Sequence, residues 1–168
     1  MSMSMYSASI PLFQQLLGGM KGVLTKAAAH CEAKGIDQSA ILNDRLFPDM
    51  FPFTRQIQIA TDMAAGGSAR LAGVDVPTLP TEAASFADMQ ARIDAALAFL
   101  GPLKAAQIDG SEGKDITITM RAGPRSFKGQ EYLMTWLIPH FTFHCTTTYD
   151  ILRHRGVEIG KRDFLGAF

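Results

Sequence analysis

The chain has 168 residues, 47% of them hydrophobic, and its sixteen basic and sixteen acidic side chains cancel to zero formal charge. That length carries one well-formed core, so residues 1–168 are expected to form a single domain. Balanced charge without a basic, aromatic-interleaved patch argues against nucleic acid as a partner, and no run reaches the ~20 apolar residues of a membrane span. The two cysteines, Cys31 and Cys145, lack metal-type spacing and form no disulfide framework, which fits a reducing cytoplasm. Met1 to Leu17 is fairly apolar but has neither a basic leader region nor a small-residue cleavage signal, so the chain reads as cytoplasmic.

From about Ser9 to Lys34, Leu12, Phe13, Leu16, Leu17, Met20, Val23 and Leu24 recur with helical period, and Gly35 stops the helix. A short piece follows, Asp37 to Leu46, with Asp37 or Ser39 able to cap a helical turn. The connection from Arg45 to Pro52 carries Leu46, Phe47, Met50 and Phe51, which is apolar for a loop. It is expected to fold back on the core and hold Asp49 in a defined place. A second helix runs from Pro52 to about Ala72, with Gly73 as its stop and small residues at its centre.

After a proline-marked crossover at Val76 to Thr81, a third helix begins near Ser85 and ends at Gly101-Pro102, with Ser85 and Asp88 resembling a capping box. The period then changes to two. Ile116, Ile118 and Met120 alternate with threonines, and a turn at Gly123-Pro124 returns the chain through Phe127, which predicts a short hairpin. The fourth helix starts near Gly129, and Pro139 inside it predicts a kink. The tail carries Phe164, Leu165 and Phe168 and is too apolar for simple disorder; it is expected to pack on the helices or on a second subunit.

The fourth helix holds the most informative feature, His140 and His144 four residues apart. At 100° per residue, Leu133, Trp136, Leu137, His144, Thr147 and Ile151 all lie within about 60° of His140, so both imidazoles fall on the apolar stripe. Buried imidazoles need hydrogen-bond partners, a metal or a polar cavity. Cys145 points about 100° away from His144 and cannot pair with it, which makes Cys145 a packing residue. Gly18-Gly19 and Gly66-Gly67 lie mid-helix with no phosphate-loop context and read as sites of close helix packing.

The helix order, the His-x-x-x-His pair and the hairpin before it resemble the DinB/YfiT-like metalloenzyme superfamily. More closely, four segments resemble a domain-of-unknown-function family within it: Arg45 to Pro52, Arg70 to Gly73, Phe143-His144 with Tyr149 to His154, and Gly160 to Gly166. The resemblance implies an all-α four-helix bundle with one long crossover and a small β-hairpin before the last helix. It also implies a metal held by three histidines, one on the second helix and two on the fourth, and small-thiol transferase or isomerase activity in some members. His140 and His144 match the fourth-helix pair. The second helix has no histidine, and Gln56 stands roughly where one is expected.

Two imidazoles alone hold a divalent transition metal weakly, so a zinc, nickel or iron ion would need a third ligand, for which Asp49 is the candidate. On that reading His144 and Asp49 are the catalytic residues, and Gln56, Tyr132, Trp136, Phe143 and Thr147 line a pocket for a small molecule. The other reading keeps the same cavity without metal, its histidines hydrogen-bonded to Thr147, Gln56 or water, in a non-catalytic binding or dimeric stress-related protein. The apolar loop and tail favour a homodimer in either case.

Overall fold

A computed structural model describes residues 3–120 and 122–166; of the tail, Phe168 lies outside them. The chain is mostly helical, with one two-stranded antiparallel hairpin before the last long helix. Helix α1 spans Ile10–Lys34 and ends at Gly35, whose φ of 62° is the left-handed cap that a glycine adopts without a Cβ penalty. Asp37 accepts the Ser39 N–H and starts the short α2, Gln38–Leu42. Helix α3 spans Phe53–Ala72. Helix α4, Phe86–Leu100, begins with the expected Ser85/Asp88 capping box. A four-residue helical turn, α5 at Ala105–Ile108, follows it.

The strands are β1, Asp115–Met120, and β2, Gly123–Lys128. Met120 pairs with Gly123 and Thr119 with Pro124, so the turn falls ahead of Gly123 rather than at Gly123-Pro124. The last long helix comes in three pieces: α6 at Gly129–Glu131, a π-helical segment at Tyr132–Leu137, and α7 at Ile138–His154. Pro139 is accommodated by widening the helix ahead of it, where Ile138 N–H donates to the Leu133 carbonyl five residues back. The α-helical register then restarts with Pro139 in its first turn, where no backbone donor is required.

Helix α1 packs on α4 and α7, and α3 packs on the same two; the buried apolar side chains of these helices form one cluster. Phe13 meets Phe141 edge-on with centroids 4.8 Å apart, and Phe53 meets Phe86 at 6.0 Å. Two of the mid-helix glycines allow close approach, as their position predicts. A Cβ on Gly67 would lie 2.3 Å from the Leu137 side chain, and one on Gly19 would lie 2.3 Å from the Phe164 carbonyl oxygen. The second contact seats the tail, which forms α8 at Lys161–Leu165 on α1, with Gln15 Nε2 donating to the Leu165 carbonyl.

The connection between α2 and α3 departs from expectation. Leu46, Phe47 and Phe51 face solvent and Asp49 is exposed, so the loop is not folded onto the core by its apolar side chains. Polar links fix it instead. Phe53 N–H donates to the Asp44 carbonyl, the Asp44 carboxylate pairs with Arg155, and Arg45 donates to the Met50 carbonyl. The long connection between α3 and α4 is held by Arg92, a buried guanidinium on the core face of α4. It donates to the Thr61 hydroxyl at 2.8 Å and also reaches the Pro80 carbonyl and the Asp62 carboxylate.

Candidate functional site

Gln56 lies in the first turns of α3 and His144 in the middle of α7, two helices in extensive contact, and both side chains are buried. Gln56 Nε2 donates to the Phe51 carbonyl at 2.9 Å, which turns its Oε1 toward α7. That oxygen lies 2.6 Å from His144 Nδ1. An amide oxygen only accepts, so the proton of this bond belongs to His144 Nδ1, and Nε2 is left with a free lone pair. Burial, then His140, then Arg55 push the His144 pKa down to about 4, which keeps the ring neutral at pH 7.

His140 sits one turn earlier. Its ring stands edge-on to Trp136 with centroids 4.0 Å apart, and it is 6.5 Å from the His144 ring at an interplanar angle of 26°. Burial lowers its pKa as well. His140 Nδ1 is buried and has no hydrogen-bond partner among the described residues. Phe143 meets His144 edge-on at 5.2 Å and is 55% exposed. With Pro139, Thr142, Thr147 and Asp150 it lines an open groove along α7.

The structure therefore brings together His140, His144, Gln56, Trp136 and Phe143. Thr147 lines the groove beside Phe143, while Asp49 and Tyr132 stand apart from this cluster. Thr147 donates to the Phe143 carbonyl of its own helix, so the partner of His144 is Gln56. Tyr132 packs against Phe127 and has Arg70 beside its hydroxyl. Asp49 is exposed in its loop, and among the described residues no three His, Cys, Asp or Glu side chains converge. Burial pushes the Cys145 thiol well up, as a packing role requires.

The donor set does not match a three-imidazole metal centre. A tetrahedral ion about 2.1 Å from each of two imidazole nitrogens would hold the ring centroids about 5 Å apart, and with near-parallel rings 6.5 Å apart these two do not share such a position. Gln56 engages only Nδ1 of His144 and leaves Nε2 free, and its own neutral amide is a poor third ligand for zinc or nickel. Sequence reasoning missed two contributors. The Phe51 carbonyl orients Gln56, and backbone partners leave no trace in residue types. Arg55 adds positive charge near His144, which its position beside Gln56 could have signalled.

A helical fold with a hairpin before its last long helix, and a histidine pair on that helix, define a DinB-like protein. The chain is similar to a DinB family member from Shewanella denitrificans whose crystal structure superposes with a TM-score of 0.87, at 35% identity over 97% of this chain and 92% of that one. More particularly, it belongs to the family described as a domain of unknown function (DUF1993), which matches residues 5–165. No curated protein matches it.

Proposed function

We propose that this chain is a DinB-type four-helix bundle that binds a small molecule at its histidine site without a resident metal. The observation that carries this reading is that Gln56, a neutral amide hydrogen-bonded to His144 at 2.6 Å, stands where the family resemblance leads one to expect a third histidine. In this arrangement both rings are neutral near pH 7 and offer hydrogen-bond acceptors beside Trp136 and Phe143. A base with a pKa of about 4 is poorly matched to proton abstraction at neutral pH, which favours binding over acid–base catalysis. Exposed Leu46, Phe47, Phe51 and Phe143 support the expectation of a second copy covering this end of the molecule.

The metal-dependent reading, a thiol-dependent transferase or hydrolase, draws on the family resemblance and on the buried, unpartnered His140 Nδ1. Elemental analysis of protein purified without chelator, beside a His140→Ala/His144→Ala double variant, separates the two. Metal-free protein in both cases is the expected result. Stoichiometric zinc, nickel or iron in the unaltered chain alone would overturn the proposal.

A further inference from the structure

The crossover between α3 and α4 roofs a second cavity. Its volume is 220 Å³, and Asp62, Met63, Gly66, Arg70, Val76 and Leu79 line it. Asp62, Gly66 and Arg70 are spaced four apart, which places them in a row along one face of α3. Gly66 matters to the shape. A Cβ at that position would lie 3.1 Å from Arg70 Nη1 and 3.4 Å from Val76 Cγ1, so the missing side chain lets the guanidinium lie back along the helix beneath Val76. A glycine inside a helix costs about 1 kcal/mol relative to alanine, and here the space it frees is taken by the Arg70 head group.

The charges in this cavity do not cancel. The Asp62 carboxylate is paired with Arg92. Arg70 forms no ion pair among the described residues; the hydroxyl of buried Tyr132 lies beside it. One half-buried guanidinium is thus left facing a space walled by Met63, Val76, Pro77 and Leu79, with the Arg92-paired Asp62 two turns away along α3. A guanidinium presents a planar fork of donors that matches the two oxygens of a carboxylate. The volume corresponds to about seven water molecules at liquid density, enough for an acid with a short alkyl chain and too little for a nucleotide.

We propose that this cavity is a binding site for a small aliphatic carboxylate, with Arg70 holding the carboxylate and Met63, Val76 and Leu79 packing the chain. One unpaired cation among largely apolar walls favours a monocarboxylate over inorganic phosphate, whose further charge would meet carbon or the Asp62 carboxylate. The site is separate from the histidines and does not depend on whether they bind metal.

The test is a titration of the whole protein with hexanoate, with uncharged hexanamide and with inorganic phosphate, followed by amide chemical shifts and calorimetry. Saturable hexanoate binding that shifts the Gly66 and Val76 amides is expected, with hexanamide at least about tenfold weaker because it lacks the charge-assisted bidentate pair. Arg70→Gln should weaken hexanoate binding by a similar factor, and Gly66→Ala should do so by displacing the guanidinium. His144→Gln should leave it unchanged. Equal binding of the acid and the amide to the unaltered chain, phosphate binding as tight as hexanoate, or the absence of any saturable shift at these amides would overturn the proposal. The acid and amide comparison needs no variant, so it stands even if Arg70→Gln does not fold.

Discussion

Gln56 Oε1 accepts a 2.6 Å hydrogen bond from His144 Nδ1, which ties the start of α3 to the middle of α7 and fixes the tautomer of the imidazole. Both groups are buried, so the bond satisfies a donor and an acceptor that water cannot reach. Gln56→Leu should lower stability by about 1–3 kcal/mol by leaving the Nδ1–H unpaired, as read by chemical denaturation. Gln56→Glu should instead raise the His144 pKa, because a carboxylate favours the imidazolium. Histidine titration by NMR gives that shift directly; an unchanged pKa in Gln56→Glu would mean that the two side chains do not meet in solution.

Acid should weaken the fold through the same histidine. His144 remains neutral in the folded chain down to about pH 4, against an ordinary value of 6.5. Between those limits the unfolded chain binds more protons, so stability is full above pH 6.5 and declines as the pH falls toward 4. The gap corresponds to at most about 3 kcal/mol, and the lowered pKa of His140 acts in the same direction. Denaturation midpoints measured across this range should show the decline, and His144→Gln should flatten it.

The glycines of α1 give a contrast within one helix. A Cβ on Gly18 meets nothing within 4 Å, while one on Gly19 would strike the backbone of Phe164 in α8. Gly18→Ala should therefore stabilise the protein by about 0.5–1 kcal/mol through helix propensity. Gly19→Ala should destabilise it by about 1–3 kcal/mol and free α8, a change visible as faster amide exchange at Phe164 and Leu165.

Arg92 is 4% exposed and links Thr61, Asp62 and Pro80, so it fastens the crossover to both α3 and α4. Arg92→Ala should cost about 2–4 kcal/mol, since it leaves a cavity and removes charge-assisted bonds. Proteolysis of the folded state should then begin in the crossover around Leu79 and Pro80. Unchanged protease resistance would show that the apolar contacts of Leu79 hold the segment without Arg92.

The helices were legible because their signals are local. Apolar residues recur every three or four positions, glycines with left-handed φ end α1 and α3, and Ser85 with Asp88 starts α4. Pro139 was legible as a disturbance. Its accommodation by a π-helical segment was not, because widening depends on how the helix packs against its neighbours. The loop around Asp49 misled because hydrophobicity alone implied burial, while the fixing groups are Asp44, Arg45 and Arg155, polar residues whose partners are distant in sequence or on the backbone. Arg92 carried a readable clue, a charged residue flanked by Met89, Ile93 and Ala96 at core spacing. Of the site, the histidine pair and the place of Gln56 could be read. The direction of the Gln56 amide could not, since a main-chain carbonyl sets it.

The most direct test of the central claim is a long-range nitrogen–proton NMR spectrum of the histidine rings at pH 7, recorded before and after adding an equivalent of zinc. The account predicts a neutral His144 with its proton on Nδ1, unchanged by the metal. A proton on Nε2, or a stoichiometric shift of the His140 and His144 nitrogens on adding zinc, would contradict it.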